Sequence, residues 1–214
     1  MEVSVTVDLR DQFGEIRYQG KRPTCMAFAS SDAHSFAQGT TEPLSVEYAF
    51  FHAVRLKFNA DRTQGVGIRL MSRAISTEGQ PFETGWPYLN DLSATDDWEP
   101  PKNPGTIFRR GTTLIVPSTM AKIYVSLDTG HPVIVVMNIS QSFFFVKAGT
   151  IIRAPANEPT LNTHAVIAVG YGECDGCRCV LIRNSWGEKW GDDGYAWVEE
   201  DYLKPRLRDL GIMH

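Results

Sequence analysis

Long apolar runs are missing from this 214-residue chain. Stretches such as 133–137 (VIVVM) and 143–146 (FFFV) fall far short of the roughly 20 apolar residues that span a bilayer. No membrane partner is expected. The start, MEVSVTVDLRDQF, lacks the basic-then-apolar layout of a secretory signal, so the expected location is cytoplasmic. Basic runs are missing too: Arg109-Arg110 is a bare pair, and the net charge is -4. Nucleic acid is therefore not an expected partner. Cysteine is scarce, with four residues in all. Cys25 stands alone, while Cys174, Cys177 and Cys179 crowd one short stretch. That spacing excludes a framework of well-separated disulfides and favours a reducing compartment.

What is present is an ordinary globular balance, 43% hydrophobic and 21% charged, which argues against disorder. The length suits one large domain or two small lobes about a cleft, with core enough to need no metal staple. Residues 1–20 read as an extended lead-in with a turn at 11–14. Thr24 is placed to cap a helix on which Phe28, Ala29, Ala33, Phe36 and Ala37 recur at helical spacing, and Gly39 ends it. A second helix is expected over 45–58, and a third over 68–77 after the Gly65-Val66-Gly67 loop. Residues 79–105 are rich in Pro, Gly and Trp and read as irregular surface chain. Strands are expected at 132–139, 142–147, 150–152, 164–171, 179–183 and 194–198. The expected class is α+β. A helical lobe spans about 10–112, a β-rich lobe about 113–214 plus 1–9, and a cleft lies between them.

Four residues stand out for chemistry. Cys25 falls at a helix start, where backbone N–H groups and the helix dipole favour the reactive thiolate. Gln19, six residues upstream across a polar turn, offers an amide that together with the Cys25 N–H would hold a tetrahedral oxyanion. A thiolate needs a proton partner. His34 and His52 lie inside helices and read as surface or core-edge residues. His131 is a weaker alternative at a strand entry, and His214 is terminal. His164 heads the apolar strand Ala165–Val169, where a ring is held rigidly. Asn184 follows the next strand. If the two strands pair around an Asp175-Gly176 turn, Asn184 returns beside His164 and fixes its tautomer, with Trp186 screening that bond from water. Each feature alone also reads blandly: a core cysteine, a turn glutamine, a strand-end histidine, a strand-exit asparagine.

Together the segments QGKRPTCMAFA, NTHAVIAVGYG and RNSWGEKWGDDGY strongly resemble the papain family of cysteine peptidases. The likeness runs from about residue 7 to 202, and GQPFETGWPY (79–88) looks like microbial members. The resemblance implies a papain-like two-lobe fold. It assigns Cys25 as nucleophile, His164 as base, Asn184 as orienter, Gln19 as oxyanion donor and Trp186 as shield. It implies substrate contacts from Gly65, Val66 and Gly67, and pocket walls at Ile68, Val136 and Ala165. The pocket floor would come from Leu207 or Leu210, with Arg206 or Arg208 able to change its character.

There are departures. The family usually has a bridged Cys three residues before the nucleophile, where Arg22 stands here, and a Trp after it, where Met26 stands. No inhibitory propeptide precedes Val3 in this sequence, so the expectation is either that a propeptide has been removed or that control comes from an inhibitor or a fused regulatory domain. Cys174, Cys177 and Cys179 offer three sulfurs where structural zinc wants four ligands, so free thiols, no metal and no cofactor are expected. The expected activity is peptide-bond hydrolysis of a peptide or protein substrate through a Cys25 thioester. The alternatives are another acyl transfer, such as ligation or glutamine deamidation, and a non-catalytic peptide-binding module.

Overall fold

The computed structural model describes residues 3–92, 97–153, 155 and 157–214. The expected lead-in (1–20) and irregular chain (79–105) thus each fall partly outside the described residues, at 1–2 and 93–96. Three helices form the first half: α1 (Cys25–Gln38), α2 (Val46–Arg55) and α3 (Ile68–Thr77). The second half carries α4 (Met120–Asp128) and two single-turn helices, α5 (Gln141–Phe144) and α6 (Glu200–Leu203).

The strands are β1 (Ser4–Asp8), β2 (Thr112–Ile115), β3 (Val133–Ser140), β4 (Ile151–Ile152), β5 (Thr160–Cys174), β6 (Cys177–Arg183), β7 (Tyr195–Glu199) and β8 (Leu207–Met213). They make one sheet in the order β2-β8-β3-β5-β6-β7-β4, with β1 paired to the far half of β5. The class is α+β. β1 comes so close that a Cβ on Gly170 would lie 2.3 Å from the Val7 carbonyl oxygen, which explains a glycine inside that strand.

α1 is central. It packs on the sheet and on α2 and α3, so its first turns are buried nearly all round, from Met26 to Ser31. α2 begins at Ser45, whose hydroxyl oxygen accepts the Tyr48 N–H at 3.1 Å. α3 buries Ile68, Met71, Ala74 and Ile75, the single stripe its spacing predicts.

Several expectations are corrected. Thr24 caps α1 without its side chain; its hydroxyl instead lies 2.8 Å from the Tyr88 hydroxyl. The second helix starts and stops inside the expected 45–58, and Phe58 is fully exposed. The stretch 142–147 is not a strand: α5 and a turn replace it, because the Phe143 ring is drawn fully into the aromatic core. The strand expected at 164 begins four residues earlier, at Thr160. β1, β2, α4 and β8 were not foreseen as elements. His34 is no surface or edge residue, being completely buried.

Candidate active site

Two walls of a cleft of about 880 Å³ carry the predicted residues: Gln19, Cys25, His164 and Trp186 all line it. Asn184 lies just behind.

The sheet wall begins with the β5–β6 hairpin. Its turn is Asp175-Gly176, both at positive φ (53° and 76°), with Cys174 paired to Cys177 as a two-residue primed turn requires. The hairpin brings Asn184, just past β6, to His164 in β5. The His164 Nε2 lies 2.8 Å from Asn184 Oδ1. That oxygen also accepts the Ser185 backbone N–H at 2.9 Å, which fixes which end of the amide is oxygen. Because Oδ1 only accepts, Nε2 must carry the proton. Nδ1 is then the nitrogen left to exchange a proton within the cleft. Trp186 lies over the ring at 4.7 Å between centroids, Phe143 stands edge-on at 5.7 Å, and Trp190 packs behind.

The helix wall is built differently. The segment before Cys25 is strapped to the sheet: Gln19 N–H donates to the Ser185 carbonyl at 2.8 Å and Gly187 N–H to the Arg17 carbonyl at 3.1 Å. The Gln19 side chain is fixed at both ends. Its Oε1 accepts the Ser185 hydroxyl at 2.7 Å, and its Nε2 donates to the Arg22 carbonyl at 3.0 Å, leaving one N–H free. The Tyr88 hydroxyl donates to the Gln19 carbonyl at 2.7 Å. Arg22, at the family's usual cysteine position, is buried and forms a two-pronged ion pair with Glu47 at 2.6 and 2.8 Å. Sequence reasoning marked Arg22 as a departure but did not find its partner.

Burial pushes the Cys25 thiol up, while the backbone N–H groups of Ala165, Met26 and Cys25 itself act in the opposite direction, as expected at a helix start. Burial pulls His164 down to about 4, with the Asn184 bond opposing. Burial thus opposes the charging of each group.

The residues expected to contact substrate are placed differently from one another. Gly65 lines the cleft, Val66 is buried, and Gly67 caps α3. Val136 pairs directly with Ala165 on one side and with Asp209 on the other, so all three share a sheet face. A Cβ on Gly211, two residues on, would lie 2.9 Å from Ile68, which puts Ile68 against the same face. Ile68, Val136 and Ala165 are buried; Asp209 is exposed. Of the floor candidates, Leu210 is buried but pairs with Val135, on the opposite sheet face from Val136, and Leu207 is half-buried opposite Met137; Arg208 is exposed, while Arg206 points inward and donates to the Tyr202 and Glu158 carbonyls. The acidic neighbour Asp209 was missed; only the register of β8 reveals it. Among the described residues no cluster of three His, Cys, Asp or Glu side chains suits a metal ion, and all four cysteines are free thiols.

Comparison with known proteins identifies the family and the fold. The family model for papain family cysteine protease matches residues 3–207. A cysteine protease of Blomia tropicalis is 26% identical over 196 residues, covering 87% of this chain and 58% of its own length. Pro-cathepsin H of Mus musculus is 24% identical over 188 residues, covering 86% of this chain and 56% of its own. The chain thus spans less than three fifths of the length of these two relatives. Among solved structures, the cysteine protease xylellain from Xylella fastidiosa superposes with a TM-score of 0.80 at 21% identity, covering 99% of this chain and 86% of that one. A Carica candamarcensis cysteine protease in complex with E-64 gives 0.75 at 21% identity, covering 97% and 96%. The chain belongs to the papain family of cysteine proteases.

Proposed function

We propose that this chain hydrolyses peptide bonds through a thioester on Cys25. The observation that carries the reading is the convergence of Cys25, the Asn184-oriented His164 ring and the doubly anchored Gln19 amide on one open cleft. His164 Nδ1 takes the Cys25 proton, and the sulfur attacks the scissile carbonyl carbon. The carbonyl electron pair moves onto oxygen, which meets the free Gln19 N–H and the Cys25 backbone N–H. Collapse breaks the C–N bond, and His164 returns the proton to the leaving amine. Water then attacks the thioester, with His164 again taking a proton, and the acid product leaves Cys25 free.

Because His164 protonates the leaving amine, Trp186 and Phe144, stacked at 5.1 Å beside it, flank the leaving side of the substrate. The acyl side runs past Gly65 toward Ile68, Val136 and Ala165. That face is apolar but rimmed by exposed Asp209. The substrate side chain there is proposed to be Leu, Val or Phe, with Arg or Lys admitted by Asp209 and Asp or Glu rejected.

Brief iodoacetamide labelling at pH 6, followed by peptide mapping and a positional-scanning peptide library, tests the reading. Cys25 is expected to label far faster than Cys174, Cys177 or Cys179, with loss of turnover in proportion. Equal labelling of all four thiols, or full turnover after Cys25 is blocked, would overturn it.

A further inference from the structure

The turn that presents Cys25 belongs to no helix or strand and is held by hydrogen bonds from other segments. Gly20 sits at a φ of 63°, and Lys21 is exposed. Yet two chemically important groups depend on its shape: the Gln19 amide and the first N–H groups of α1. The Arg22 carbonyl is the common acceptor inside this turn. It takes Gln19 Nε2 at 3.0 Å and the Thr24 N–H at 2.9 Å. The side chain of the same residue is anchored elsewhere. Its guanidinium grips the Glu47 carboxylate with both terminal nitrogens and also donates to the Leu89 carbonyl at 2.6 Å. Glu47 is fully buried in the first turn of α2 and is itself held by Trp98 Nε1 at 2.6 Å and the Leu89 N–H at 3.0 Å. The Phe50 and Tyr88 rings lie 5.6 and 5.0 Å from the guanidinium carbon.

We propose that the buried Arg22–Glu47 ion pair is a positioning element for the Gln19 amide and the Cys25 N–H, doing by a rigid salt-bridged fork what a bridged cysteine does in other members of the family. The inference rests on the acyl-transfer reading above. The pair touches no substrate. It holds the Arg22 peptide unit in the one orientation that points its carbonyl at Gln19, and so leaves the second Gln19 N–H aimed at the developing oxyanion. Oxyanion donors act in the transition state rather than in the bound ground state, so loosening them lowers kcat and spares KM. A planar fork bonded to both carboxylate oxygens cannot be replaced by a point charge, so lysine is not equivalent.

The test is a double-mutant cycle between Arg22 and Gln19, read by steady-state kinetics and by amide hydrogen exchange. Gln19→Ala is expected to lower kcat about 100-fold. Arg22→Lys is expected to lower kcat about tenfold with KM unchanged within about twofold, and Glu47→Gln to do the same. In the Gln19→Ala background, Arg22→Lys should cost less than about twofold, because its effect passes through Gln19. Amide exchange over residues 19–25 should quicken in Arg22→Lys and Glu47→Gln, while 164–171 stays protected. Losses that multiply independently in the cycle, or unchanged exchange over 19–25 in both variants, would overturn the proposal. Wild-type protein without peptide turnover would remove the hydrolase reading instead, and the exchange measurement would still decide whether the pair orders the turn. Should Arg22→Lys fail to fold, Glu47→Gln, which keeps the size of the side chain and one of its two acceptor oxygens, carries both readouts.

Discussion

The two walls of the cleft are held by different physics. On the sheet wall, His164 and Asn184 sit on or beside adjacent strands of a tight hairpin, whose backbone ladder, with one register shift between Ala168 and Gly170, brings them together. Side chains add only orientation: the 2.8 Å bond and the Trp186 and Phe143 rings. On the helix wall, Cys25 and Gln19 are delivered by an irregular turn, and what fixes them comes from segments remote in sequence: Glu47, Tyr88, Leu89, Trp98 and Ser185. A ladder is redundant, since losing one side chain leaves its bonds intact. A turn held by side chains has no such reserve, so its geometry is sensitive to single substitutions far from the chemistry.

The largest effect should be symmetrical. Cys25→Ala and His164→Ala are each expected to lower peptide turnover by about 10⁴-fold or more, and the double variant by no further factor, because the pair acts as one unit. Active-site-titrated kinetics checks this; independent losses would separate the walls chemically as well as structurally. The next contrast is in stability. Glu47→Ala strands the buried Arg22 charge and should cost about 3–5 kcal/mol. On the opposite wall, Phe143→Ala leaves a cavity at a fully buried ring and should cost a similar 3–5 kcal/mol or so. Urea unfolding of both variants measures the two; the walls are distinguished by hydrogen exchange, with 19–25 opening in the first variant only.

Acid should strain the helical half of the core. His34 in α1 is pulled by burial to about 4. The unfolded chain, with this histidine near its usual 6.5, binds more protons than the folded one between about pH 6.5 and 4. Stability is therefore fully present above that window and lost as pH falls through it, by up to about 3 kcal/mol for this histidine. His34→Gln, kept neutral beside Gln80, should flatten part of the fall in melting temperature between pH 7 and 4. An unchanged pH slope would show that His34 is charged when folded. The smallest effect concerns the substrate face: Asp209→Ala should cut kcat/KM for peptides with Arg at the pocket position by about tenfold or less, leaving Leu peptides unchanged.

Legibility followed locality. The bounds 68–77 of α3 were readable because one apolar stripe decides that helix, and the hairpin was readable from Asp-Gly between strands. α4 was readable too and was missed: Met120, Ile123, Tyr124 and Leu127 follow a helical stripe after Thr119. β8 was hidden, because LRDLGIM mixes charge and glycine and becomes a strand only between β2 and β3. Residues 142–147 misled because three phenylalanines favour a strand, whereas the tertiary contacts of Phe143 with His164, Trp186 and Trp190 impose a helical turn.

By itself, the sequence determined the α+β class and the family, and it singled out Cys25, His164 and Gln19, which line one cleft, and Asn184, which bonds His164. Those depend on short-range pattern: helix stripes, a two-residue turn, residues a fixed number of places from a strand end. The tertiary structure alone decided three further things. It paired Arg22 with Glu47, 25 residues away, in a space closed by Trp98. It placed Asp209 on the face of Val136 and Ala165 through strand register. And it set the surroundings of Cys25, half-buried in the cleft, and of His164, buried, so that burial opposes the charging of each, because desolvation depends on what surrounds a group in space, which no local pattern encodes.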